Sequence, residues 1–217
     1  LSNKLTLDNF IIGQNKAILN FTNSLIHSSK KNSKTDYNPD KCLFLYGSSG
    51  TGKTHILHGI CHQATNNQLS AIYLDAKTIN PEQMNKLNDM EYLEVICIDN
   101  IDAINGSKEL EHAFFHLFNR VYTSGASLIM ASKQKPKQLD IKLPDLLSRL
   151  QWVLAFKVHP LNDEDLIIAI KDKFSQKGFY VSKDVISFML HRLDRIITDI
   201  MDKIELLSNL PISKKRK

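Results

Sequence analysis

Short, nearly unbroken apolar runs recur along the chain, separated by stretches whose apolar residues fall three and four positions apart. Cys42–Tyr46, Leu69–Leu74, Tyr92–Asn100, Ser127–Ser132 and Val153–Val158 have the length and texture of parallel strands covered on both faces. Helical spacing runs through Ile18, Phe21, Leu25 and Ile26, then from His55 to Cys61, and over Lys108–Ser124, whose inward face is Leu110, Ala113, Phe114, Leu117, Phe118 and Val121. Ser28–Asp40 reads as a polar surface loop, Pro81 opens a short helix, and Pro144 opens another within Lys142–Leu150. Strands alternating with helices predict an α/β fold, a parallel sheet between two helical layers.

From Pro160 the strand signal stops and three helical patterns follow. The first is capped by Asn162 or Asp163, buries Leu166, Ile167, Ile170 and Phe174, and ends at Gly178. The second starts after Ser182 and buries Val185, Met189, Leu190 and Leu193. The third uses Ile196, Ile197, Ile200, Ile204 and Leu207. The expected organisation is a core over residues 1–159, a helical subdomain over 160–210 and a basic tail over 211–217.

Two strand ends carry chemistry. Gly47-Ser48-Ser49-Gly50-Thr51-Gly52-Lys53-Thr54 is a complete G-x-x-x-x-G-K-[ST] phosphate-binding loop, set between an apolar strand and a helix as that motif requires. Its glycines let successive N–H groups converge on a phosphate at a helix N-terminus, with Lys53 reaching the phosphates and Thr54 suited to Mg²⁺. Val95–Ile98 ends in Asp99, where a buried strand would deliver a carboxylate to Mg²⁺. A strand ending in Asp is a weak signal alone and gains weight by following a phosphate loop.

Bulk properties narrow the partners. At 42% apolar and 24% charged the composition is ordinary for a globular protein, and no apolar run approaches the roughly 18 residues that cross a bilayer. A cytoplasmic protein without membrane contact is expected. Cys42, Cys61 and Cys97 lie in apolar elements and read as small buried hydrophobes. Of the net charge of +5, Lys214, Lys215, Arg216 and Lys217 supply all but +1. The body therefore has no broad electrostatic footprint for DNA, and direct DNA binding is expected to be weak or confined to the tail.

Further segments carry a likeness. Leu7-Asp8-Asn9-Phe10-Ile11-Ile12-Gly13, Phe44–Gly47 continuing through Gly52–His58, Val95–Ile101, Leu143-Pro144-Asp145-Leu146-Leu147-Ser148-Arg149-Leu150-Gln151-Trp152 and Arg192–Arg195 resemble the DnaA-related AAA+ family, and within it the Hda-type regulatory inactivators of DnaA. The resemblance implies a three-layer αβα core with a parallel sheet and a small helical lid. Phe10, Ile11 and Ile12 would line an adenine pocket, and Gly47, Gly50, Thr51, Gly52, Lys53, Thr54 and His55 would hold the phosphates of ATP or ADP. Thr54 and Asp99 would bind Mg²⁺. Asn100 stands where relatives usually carry an acid that activates water, and an amide is a poor proton acceptor. Ser132 and Lys133 occupy the first sensor region, and Thr198 falls where a sensor arginine is expected, with Arg192 and Arg195 nearby. The chain is thus expected to be at most a weak ATPase.

Arg149 would act as an arginine finger in trans on a neighbour's nucleotide; from spacing alone it equally suits a helix-end arginine meeting surface carboxylates. The implied partners are DnaA and a DNA-loaded sliding clamp, although the clamp-docking segment of such inactivators is not seen, and a homodimer is a further option. Alternatives are a DnaA-like initiator fragment, which would continue into a helix-turn-helix domain, and a helicase-loader-like ATPase acting on DNA. His55, His58, His112, His116 and His191 fall on predicted helices and read as packing or surface residues rather than catalytic ones.

Overall fold

The computed structural model describes residues 5–29, 41–192, 200, 201, 203, 204 and 206. The polar loop beyond Ser29, Leu193, Arg195, Ile196, Ile197, Thr198, Leu207 and the basic tail lie outside the described residues. The chain divides into one unit of residues 1–48 and 52–159, an α/β unit, and a second of residues 49–51 and 160–217, whose described elements are helices.

Five strands, β1 (Cys42–Tyr46), β2 (Ala71–Asp75), β3 (Val95–Asp99), β4 (Ser127–Ser132) and β5 (Leu154–Lys157), form one parallel sheet in the order β2-β3-β4-β1-β5. Helix α1 (Lys16–Ser29) precedes β1, while α2 (Lys53–Asn66), α3 (Lys108–Ser124) and α4 (Pro144–Trp152) carry crossovers. Residues alternate between faces along a strand, which splits the apolar runs cleanly. Leu43, Leu45, Val95, Cys97, Ile129 and Ala131 pack with Ile18, Ile26, Ile56, Leu57 and Ile60 of α1 and α2. Phe44, Ile96, Ile98, Leu128 and Met130 pack with Phe114, Leu117, Phe118, Leu146 and Leu150 of α3 and α4. The result is the three-layer α/β fold that the alternation predicts. Each fully buried Leu, Ile or Phe contributes about 1.5–3 kcal/mol of transfer free energy.

Several boundaries move. β2 starts at Ala71 and ends on Asp75, and β3 starts at Val95 because Met90–Tyr92 forms a 3₁₀ turn that leaves Tyr92 in solvent. Pro81–Leu87 is likewise a 3₁₀ segment. β5 is an edge strand whose Leu154 is exposed, so its apolar run does not mean burial on both faces. On α3 the buried face includes Glu111 as well as the apolar residues.

The helical unit contains α5 (Asp163–Gln176) and α6 (Lys183–Arg192). Asn162 Oδ1 accepts the Asp165 amide at 2.7 Å, and Asp163, Glu164 and Asp165 sit at the positive end of the helix. Gly178, at φ 79°, follows the last turn, where the Phe179 amide reaches the Phe174 carbonyl at 2.9 Å. Leu166, Ile170, Phe174, Ile186, Leu190, Ile200 and Ile204 form the core. Val185 is exposed and Ile186 takes the inward place, a correction to the spacing argument. Adjacent apolar residues leave two helical registers about 100° apart, and packing selects one.

Candidate functional site

The phosphate-loop motif joins β1 to α2. Gly50 and Gly52 take φ values of 77° and 97°, a left-handed path that side chains rarely follow. The Gly47 amide donates to Ser132 O at 3.3 Å, tying the start of the loop to the end of β4. Helix α2 begins after Gly52, whose carbonyl accepts the Ile56 amide at 2.9 Å. The buried Lys53 ammonium donates to Gly47 O at 2.6 Å and Ser48 O at 2.7 Å. Burial lowers its pKa below the ordinary lysine value, the Asp99 and Asp102 carboxylates work in the opposite direction, and Lys133 adds to the lowering.

Asp99 lies buried at the carboxyl end of β3. Its Oδ2 accepts the Thr54 hydroxyl at 2.5 Å and the Tyr73 hydroxyl at 3.1 Å, while Oδ1 accepts the Asn100 amide at 2.8 Å. Burial, followed by the Asp99 charge, pushes the Tyr73 phenol up, so it stays a donor. His58 stacks on Tyr73 with ring centroids 3.9 Å apart. The Asn100 side-chain amide donates to Asp75 Oδ1 at 2.9 Å, at the end of neighbouring β2. A further carboxylate joins the end of β4: Asp102 Oδ1 accepts Ser132 Oγ at 3.0 Å and the Lys133 amide at 3.2 Å. The sequence offered no local signal for Tyr73, Asp75 or Asp102, although Asp75 ends a strand just as Asp99 does.

The amino-terminal segment is fastened beside the loop. Thr6 O and Asn9 Oδ1 both lie 2.8 Å from His55 Nε2. A carbonyl can only accept, so Nε2 carries the proton. Burial lowers the His55 pKa, partly offset by the Thr6 bond, and favours the neutral ring. The Phe10 ring meets His55 edge-on at 5.3 Å and crowds Gly52, where an added Cβ would fall 2.8 Å from Phe10 Cε2. Leu7 sits on Gly59 of α2 in the same manner, with its backbone N 2.9 Å from a hypothetical Cβ. Ile11 is half-buried and Ile12 is exposed.

Arg149 occupies the last turn of α4, away from these groups in the chain and half-buried. Its Cζ lies over the Trp152 ring, 5.4 Å from the centroid. Among the described residues no carboxylate closes an ion pair on it. The entry to α4 is anchored by buried Glu111, whose carboxylate accepts the Gly106 amide at 3.0 Å, the Lys142 amide at 2.9 Å and the Leu143 amide at 2.7 Å. An acid on the apolar face of the Lys108–Ser124 pattern was the only sequence signal for this residue.

A family profile described as "Bacterial DnaA ATPase domain" matches residues 1–157. The chain belongs to this family. A structure of the replication initiator DnaA bound to AMPPCP and single-stranded DNA aligns at a TM-score of 0.78 and 25% identity, covering 97% of this chain and 66% of that one. AMPPCP-bound DnaA from Aquifex aeolicus aligns at 0.75 and 25%, covering 96% and 66%. Domain III of Thermotoga maritima DnaA, at 21% identity, shares the fold with a TM-score of 0.77 over 100% of this chain and 93% of its own. The chain thus spans 66% of the length of the first two.

Within this DnaA-type domain the fold brings Gly47, Lys53, Thr54, Asp99 and Ser132 to one end of the sheet, with Phe10 and His55 beside the loop. Hard oxygen donors at Thr54 and Asp99 are of the kind Mg²⁺ takes, and the glycine-shaped loop suits a phosphate. Among the described residues no helix is long and apolar enough to cross a membrane.

Proposed function

We propose that this chain is an adenine-nucleotide-binding regulator of the Hda type, which promotes hydrolysis of ATP bound to DnaA by presenting Arg149 to it. The observation that carries the reading is Arg149: a cation at the end of a well-anchored helix, with no carboxylate closed on it among the described residues. A guanidinium in that condition can neutralise charge developing on a neighbour's transferred phosphoryl group.

On this reading Gly47, Gly50, Thr51, Gly52, Lys53, Thr54 and His55 hold the phosphates of the chain's own ATP or ADP. Phe10, with Ile11 and Ile12, flanks the base, and Thr54 and Asp99 hold Mg²⁺, which would neutralise phosphate charge when bound. Family membership and the AMPPCP in two similar DnaA structures support nucleotide binding. Asn100 gives its N–H₂ group to Asp75, which fixes the side chain, and an amide is in any case a poor acceptor of a proton from water. Strong turnover by the chain itself is therefore not expected.

The test mixes the protein with ATP-loaded DnaA and DNA-loaded sliding clamp and follows phosphate release. Stimulation is expected, and Arg149→Ala should reduce it by about 10³-fold with nucleotide binding unchanged. Undiminished stimulation by that variant would remove the trans role.

A second reading, the ATPase module of a DnaA-like initiator or a helicase-loader-like ATPase acting on DNA, draws on the intact phosphate loop and the family match over residues 1–157. Vigorous turnover by the isolated protein, abolished by Lys53→Ala, would favour it.

A further inference from the structure

We propose that Trp152 is a positioning residue for Arg149, an indole support that holds the guanidinium ready for a partner's triphosphate; this rests on the regulatory reading above. Three observations meet at the end of α4. Trp152 is 74% exposed, an unusual place for the largest side chain. It stands three residues after Arg149, so the two side chains lie on one face of the helix, with the guanidinium carbon 5.4 Å from the ring centroid. Asp145, four residues before Arg149, has the spacing of an intrahelical ion pair, yet no carboxylate among the described residues closes on the arginine.

The choice of indole over carboxylate matters chemically. A carboxylate would occupy the guanidinium's N–H donors and cancel its charge, which a phosphoryl group would then have to compete for. A ring face attracts the cation through its quadrupole while leaving all five N–H groups available for an anion. Holding a long side chain in one pose also lessens the conformational entropy it loses on engagement. Trp152 therefore acts through Arg149 and touches no reacting atom itself.

The deciding experiment measures stimulated hydrolysis of DnaA-bound ATP as a function of regulator concentration for the parent protein, Arg149→Ala, Trp152→Leu and Trp152→Phe. Leu keeps apolar bulk and removes the ring face, whereas Phe keeps a ring. Trp152→Leu is expected to lower the maximal rate about two- to fivefold with the half-saturating concentration unchanged, and Trp152→Phe to restore most of that loss. If Trp152→Leu matches the parent while Arg149→Ala is inactive, the indole has no positioning role and the finger stands. If the Trp152→Leu loss lies wholly in the half-saturating concentration, Trp152 is a contact residue and the inference fails. If Arg149→Ala stimulates normally, the regulatory reading falls first and this inference with it.

Discussion

Glu111 on α3 accepts the Leu143 amide at 2.7 Å, which fastens the start of α4 to the core although the two residues lie 32 apart in the chain. The same carboxylate also takes the Gly106 and Lys142 amides. Glu111→Ala removes the acceptor of three part-buried amides, of which those of exposed Gly106 and Lys142 can turn to water more readily than that of half-buried Leu143. A loss of about 1–3 kcal/mol in urea unfolding is expected, with Glu111→Gln intermediate because one amide oxygen replaces two. Equal midpoints for all three proteins would show that water satisfies the amides.

Gly59 should separate stability from ligand binding. In a helix interior Ala is better than Gly by about 1 kcal/mol, but a methyl here meets Leu7, including its backbone N at 2.9 Å. The amino-terminal segment that carries Phe10 must then move off α2. Gly59→Ala is expected to lower adenine-nucleotide affinity by about tenfold while the thermal midpoint changes little, read by nucleotide titration and calorimetry. Unchanged affinity would sever Phe10 from the base site.

Lys53 sets a pH dependence for nucleotide binding. Burial lowers its pKa from 10.5 in the free protein, and a bound phosphate favours the charged form, so binding in the alkaline range takes up a proton. Affinity should fall as pH rises through the lowered pKa, with proton uptake visible by calorimetry in buffers of different ionisation enthalpy. Lys53→Arg, always charged, should flatten that slope. For folding of the free protein the sign is reversed. The folded state binds fewer protons at Lys53 than the unfolded chain, so this group's cost is present at low pH and disappears above 10.5.

Asn100→Asp would set a second carboxylate against Asp75, where the present side chain donates at 2.9 Å. Both residues are partly exposed, so solvent screens the repulsion. The expected loss is about 1 kcal/mol at neutral pH, recovered as the solution is acidified and one carboxyl takes a proton. Chemical unfolding at two pH values tests it, and a pH-independent loss would point to backbone strain at this residue, whose φ is 52°.

What the sequence made legible follows the range of the forces involved. The phosphate loop, Asp99 at its strand end and the bounds of α3, Lys108–Ser124, are local patterns and were readable as such. Tyr73, Asp75, Asp102 and Glu111 were not, because each finds its partner on another element and only the parallel register of β2, β3 and β4 brings most of them together. Val185 and Ile186 mark another limit, since neighbouring apolar residues cannot announce which one faces inward.

Trp152 is the chain's single tryptophan. All indole emission from the isolated protein therefore originates one helical turn from Arg149, and with an indole this exposed it should be red-shifted and readily quenched by iodide. Against a partner whose own tryptophans are replaced by phenylalanine, a blue shift and loss of quenching would time the approach of the two proteins without an attached dye.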